Sequence, residues 1–229
     1  MTTKTGKSKK KLSNKLEDYP KGARKLILTA ERLFAQHGID NVSLRQIVAS
    51  AGQANNYAVQ HHFGSKDGLI EAIYIIQMAT LDGVRKKELE KIEAKGDASI
   101  EELISAIMLP ILEAFDENGR HRYADFMFHL FHRNKVQIND LINGDVPIYD
   151  NFAPAVNQLN KLLKNKLANL PVEVFNLRYR LAAELFLSGI NERKRSEVYC
   201  ENTYASQQDF WQDMLALTVA VFSVPYKNK

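Results

Sequence analysis

The chain has 229 residues, 45% of them hydrophobic and 25% charged, which suits a globular protein with room for a core in one domain or two. One cysteine, Cys200, excludes an internal disulfide and fits a reducing compartment. No apolar run is long enough to span a bilayer, and no apolar segment follows the basic N-terminus as in a secretory signal, so a cytoplasmic protein is expected.

The net charge of +4 is unevenly spread. Residues 1–70 carry twelve Lys or Arg against five acids, and the remainder carries nineteen against twenty-two. Such a split predicts an N-terminal part that meets a polyanion. Residues 1–19 are Lys- and Ser-rich with few apolar side chains, and read as a flexible basic arm.

From Lys21 the pattern turns helical. Leu26, Ile27, Ala30, Leu33 and Phe34 recur at three- and four-residue spacing, and Gly38 closes the helix. Ser43 and Gln46 form a capping box that opens a second helix with Leu44, Ile47, Val48 and Ala51 on its inner face. Gly52 ends it, Asn55 is expected to cap a third helix, and Gly64 stops that one. Ser65 caps a fourth, with Asp67 favourably placed in its first turn. Two short helices joined by a glycine turn are the grammar of a helix-turn-helix, which lays its second helix in the DNA major groove.

The third helix divides into two faces. Asn56, Tyr57, Gln60 and His61 share one, and Ala58, Val59, His62 and Phe63 lie toward the other. Asn and Gln can pair bidentately with adenine, and Tyr and His can reach phosphates or base edges. Outside a helix-turn-helix the same residues would read as an ordinary solvated face. Inside one they are candidate DNA contacts, together with Asn55, Arg45 and Lys66, whose ammonium at a helix start suits a phosphate.

The run Gly38, Ser43-Leu44-Arg45-Gln46-Ile47, Ala51-Gly52 and His62-Phe63-Gly64-Ser65-Lys66-Asp67-Gly68-Leu69 resembles the DNA-binding domain of TetR-family transcriptional regulators. The resemblance covers roughly residues 22–75. It implies an all-α protein, with a helix-turn-helix domain over 20–68 and a helical ligand-binding and dimerisation domain over 69–229. One departure is a single extra residue between Ala51-Gly52 and Phe63. Aligned from Phe63, the family's phosphate-contacting tyrosine falls on Gln60, and Tyr57 stands one turn earlier.

Beyond the motif the chain reads as helices throughout. A long one runs from Ser65 to about Ala94, and a second capping box, Ser99 and Glu102, opens Ile100–Phe115 with Pro110 as a kink. Arg120–Arg133 presents Tyr123, Phe126, Met127 and Leu130, residues 134–151 read as a loop or broken helix, and Asn151–Ala168 is helical. Pro171 starts a helix to Ile190, and Ser206 opens a last one ended by Pro225. Leu177, Leu181, Glu184, Leu185 and Ser188 form one stripe, and Trp211, Leu215, Thr218, Val219 and Phe222 another. The resemblance implies that two such helices from each subunit build a homodimer, which suits a palindromic operator.

By the same resemblance a small-molecule effector would sit between the fourth helix and those that follow. Candidate walls are Met78, Met108, Phe115, Tyr123, Phe126, Met127 and Phe152, although Met and aromatic residues at helical spacing are more often plain core. Asp125, His129 and His132 lack a second cluster, so no metal or other cofactor is expected. No phosphate loop, nucleophile elbow or zinc motif is present, and an enzyme is not expected. The leading expectation is a repressor released from its operator by an effector. Two rivals are a regulator of the same type without a ligand, and a basic helical adaptor. The adaptor leaves the glycine turn and the amide face without a purpose.

Overall fold

The computed structural model describes residues 12–55, 57–114, 121–133, 152–198 and 204–226. Asn56, Phe115, Cys200, the segment 134–151 and the first eleven residues of the arm lie outside them. The fold is all-α. In chain order the helices are α1 (Lys21–His37), α2 (Leu44–Ser50), α3 (Ala58–Phe63), α4 (Lys66–Lys95), α5 (Ile100–Met108), α6 (Pro110–Glu113), α7 (Arg122–Phe131), α8 (Pro154–Lys166), α9 (Val172–Val198) and α10 (Gln207–Ser223).

The helix ends follow local chemistry. Ser43 and Gln46 close their capping box at the start of α2, and Ser99 and Glu102 do the same for α5. The Ser65 hydroxyl accepts the Gly68 N–H at 3.0 Å, fixing the first turn of α4. Pro110 does break the fifth helical stretch, leaving α5 and the four-residue α6. The α9 helix runs to Val198, eight residues past the expected stop at Ile190, because nothing in Asn191–Val198 forbids a helix.

Part of the expected arm is ordered. Leu16–Asp18 form a 3₁₀ turn, the Ser13 N–H donates to the Tyr19 hydroxyl at 3.0 Å, and Leu12, Leu16 and Tyr19 pack on the core. Three apolar side chains among the lysines suffice to hold residues 12–19 against the first helices.

The long helix α4 is the spine. From Leu69 to Met78 it is buried nearly all round, and its outer part buries only the stripe Leu81, Asp82, Arg85 and Leu89. Asp82 tolerates burial because its two carboxylate oxygens accept the Ala155 and Val156 N–H groups at 3.0 and 2.9 Å, at the N-terminus of α8. Helix α8 thereby locks onto α4 and α5, while α9 packs on α7 and α10.

The contact of α7 with α1 joins the first helices to the rest. Phe34 and Phe126, both 0% exposed, stack with centroids 6.4 Å apart. At the end of this seam the buried Arg133 donates to Asp40 at 3.0 Å and to Asp67 at 3.1 Å. Asp40 follows α1 and Asp67 opens α4, so one guanidinium ties two turns of the N-terminal helices to the end of α7.

The expected stripe of α9 is open to solvent, and that of α10 is turned partly inward. Leu177, Leu181 and Ser188 of α9 are exposed, with Glu184 and Leu185 half-buried. On α10, however, Thr218 and Phe222 are buried within the protomer, and Phe222 lies against Phe175 with ring centroids 6.3 Å apart. The face that α10 leaves open is Ala216, Leu217, Ala220 and Val224. Among the described residues no helix is long and apolar enough to cross a membrane.

Candidate nucleic-acid interface

The recognition geometry starts from the buried face of α3. Ala58, Val59 and Phe63 are 4%, 0% and 7% exposed and anchor α3 on α1, α2 and α4. Phe63 also meets the Tyr19 ring at 6.0 Å. The turn between α2 and α3 depends on Gly52, whose φ of 63° is open to glycine and costly for most other residues. Behind it, the Gln53 side chain donates to the Gly22 carbonyl at 2.6 Å, pinning the turn to α1.

With that face buried, the opposite one stands in solvent. Tyr57 is 71% exposed, and Gln60 and His61 are exposed beside it. His62 is half-buried between them and Phe63, edge-on to His61 at 4.8 Å. Thus Tyr57, Gln60 and His61 are brought together on one accessible surface, as their spacing predicts. Arg45, at the start of α2, is also exposed.

Asn55 differs from its expected role. Helix α3 begins at Ala58, and its capping position is Tyr57 with no side-chain bond. The Asn55 side-chain oxygen instead accepts the Tyr57 N–H at 2.9 Å, a local turn that stabilises the approach to the helix.

Lys66 is also placed differently. Its ammonium donates to the Ile39 carbonyl at 2.5 Å and lies 5.5 Å from the Phe34 ring centroid. It therefore staples the start of α4 to the turn after α1. Replacing it by methionine, which keeps the stem, is expected to cost about 1–2 kcal/mol in urea unfolding. A lysine that served phosphate alone would leave the midpoint unchanged and only lower the salt slope of DNA binding by about one.

At the junction of α3 and α4, Gly68 is sterically required. A Cβ there would collide with the Phe63 carbonyl oxygen, so the backbones approach at a position with no side chain. His129, on α7, lies beside Gly38 at the end of α1. Burial holds its imidazole below the usual histidine range, so its contribution to stability is lost as the pH falls through and below that range.

Among the described residues, the expected ligand walls are mostly buried. Met78, Met108, Tyr123, Phe126 and Met127 are all under 9% exposed, and Phe152 is half-buried. A groove of about 750 Å³ between α4 and α5 and another of about 540 Å³ beside Trp211 are lined by none of them. The His132 Nδ1 lies 2.7 Å from the Phe128 carbonyl oxygen, and no group of three metal-ligating side chains converges among the described residues.

Sequence reasoning missed Arg85 and Arg133. Arg85 had a signal, since it falls on the buried stripe of α4 where the neighbouring register positions are apolar. Arg133 had none, because its partners lie 93 and 66 residues away.

A short helix seated by its apolar face, with Tyr, Gln and His turned outward beyond a glycine turn, defines a helix-turn-helix DNA-binding protein. Residues 26–73 match the family model of the bacterial regulatory proteins of the TetR family. Among solved structures it is similar to a protein from Mesorhizobium loti assigned to the TetR-family regulators, with 15% identity, a TM-score of 0.39, and 88% of this chain and 94% of that one covered. It is likewise similar to AmtR of Mycobacterium smegmatis, with 18% identity, a TM-score of 0.36, and 92% and 90% covered. No curated protein matches the chain in sequence.

Proposed function

We propose that the chain is a TetR-family regulator, a homodimeric repressor that leaves a palindromic operator when a small molecule binds its helical C-terminal part. The observation that carries the DNA-reading half is the solvent-facing set Tyr57, Gln60 and His61 on a helix whose other face is buried. Arg45 and Asn55 flank that set, and Asn56 belongs to the same sequence face. In this reading residues 20–68 dock on DNA and residues 69–229 sense and dimerise. No catalytic constellation is assigned, and the site of action is the cytoplasm.

Dimerisation is supported by the open apolar face of α9 and α10. Leu177, Leu181 and Leu217 are 47%, 45% and 46% exposed, flanked by Ala216, Ala220 and Val224. Two copies of this face joined about a two-fold axis would set the recognition helices about 34 Å apart, or a multiple of that spacing.

Coupling to an effector needs only about 1–3 kcal/mol, since a shift of a few ångströms breaks simultaneous docking of both helices. The test is a footprint on DNA flanking its own gene, with the oligomeric state followed by analytical ultracentrifugation. A protected palindrome bound by a dimer supports the reading. Binding of random DNA with equal affinity, or a monomer on DNA at micromolar protein, overturns it.

A further inference from the structure

The segment from α2 to α3 is entered through the turn that holds Asp40 and left through the first turn of α4, which holds Asp67. Both ends meet at one side chain. The Arg133 Nε donates to the Asp40 Oδ1 at 3.0 Å, and its Nη1 donates to the Asp67 Oδ1 at 3.1 Å. The same two turns are joined again by the Lys66 ammonium on the Ile39 carbonyl. Lys66 belongs to the N-terminal helices, whereas Arg133 reaches them from the end of α7.

Burial gives the Arg133 contacts their force. Its side chain is 3% exposed, against 70% for Asp40 and 40% for Asp67. A guanidinium withdrawn from water depends on its carboxylates far more than a surface cation does. Its planar fork also fixes direction. The Phe34–Phe126 stack seats α7 on α1, but apolar contact by itself is non-directional. The two ion pairs supply the orientation that the stack does not.

What they orient toward is set by the other side of α7. That helix packs on α9, which carries the exposed Leu177 and Leu181. A chain of contacts therefore runs from this apolar face through α9 and α7 to Arg133, and from Arg133 to both ends of the helix-turn-helix.

We propose that Arg133 is a positioning residue for DNA reading. By pairing with Asp40 and Asp67 it fixes where α3 stands relative to the dimer face, and so sets the spacing of the two recognition helices. The proposal rests on the reading of a homodimer on a palindrome. Its consequence is selective. One α3 can dock on a single half-site wherever it stands, but a palindrome requires two at matching distance and angle. The gain from engaging the second half-site is lost when that geometry fails.

The test uses the full-length protein with two duplexes, one carrying the palindrome found by footprinting and one carrying a single half-site. Affinities are read by fluorescence anisotropy at fixed salt. Arg133→Met is expected to weaken palindrome binding by about tenfold or more, and half-site binding by less than about twofold. Arg133→Lys, a cation without the fork, recovers part of the loss. Asp40→Asn and Asp67→Asn each weaken palindrome binding, and neither weakens it further when added to Arg133→Met. These two positions are partly exposed, so they decide the matter if Arg133→Met does not fold. Spin labels at Ala49→Cys on α2, an exposed position, report the distance between subunits in a Cys200→Ser background. A narrow distribution is expected for the parent and a broader one for Arg133→Met.

Equal losses on the two duplexes overturn the positioning role, because they mark a general defect or repulsion of DNA by two bared carboxylates. Tighter palindrome binding by the Asp40→Asn, Asp67→Asn double variant also overturns it, in favour of repulsion. So does an Arg133→Met protein with palindrome affinity and label distances unchanged. The parent alone decides the underlying reading. If it binds the palindrome no better than the half-site, the dimer reading falls and the positioning role falls with it.

Discussion

Phe34→Ala is expected to destabilise the protein by about 3–5 kcal/mol, a large share of the about 5–15 kcal/mol that holds a typical domain together. The ring is 0% exposed, stacks on Phe126 and carries the Lys66 ammonium above it. Its removal would empty the seam between α1 and α7 and take away the ring beneath the Lys66 ammonium. Urea unfolding measures the effect. Phe34→Leu keeps most of the volume and should cost less than half as much. A loss below about 1 kcal/mol for the alanine variant would mean that the seam collapses freely or does not contribute to the cooperative core.

The second large effect is on DNA and not on folding. Tyr57→Ala, Gln60→Ala and His61→Ala remove exposed side chains, so each should leave stability within about 0.5 kcal/mol of the parent. If they read bases, each weakens operator binding by about 1–3 kcal/mol, roughly tenfold to a hundredfold, and leaves binding to random DNA almost unchanged. The triple variant should approach the affinity for random DNA. Equal weakening on operator and random sequences would instead assign these side chains to phosphates. Competition gel shifts at fixed salt distinguish the outcomes.

The helices were legible where a single residue type decides the backbone. Serine three residues before Gln46 or Glu102 marked two helix starts, Gly38 and Gly64 marked two ends, and Pro110 marked the break. The two faces of α3 were legible for the same reason, because a period of 3.6 residues separates Val59 and Phe63 from Gln60. What periodicity does not carry is which apolar face meets which neighbour. Helix α10 has two such faces, and the one holding Thr218 and Phe222 turned inward toward α9. The staple of Lys66 on Ile39 and the double pairing of Arg133 depend on turns far apart in the chain, where local spacing holds no record of them.

The seam between α1 and α7 has a consequence for where the protein can be divided. The segment that matches the family model ends at residue 73, yet α1 owes part of its cover to Phe126 and the turn after it owes a cation to Arg133. A fragment ending there would present Phe34 to water and leave Asp40 and Asp67 without their shared arginine. The segment that matches the family model is therefore not closed on itself in this chain. It is a lid on a larger structure, and any excision meant to isolate it would have to bring α7 along.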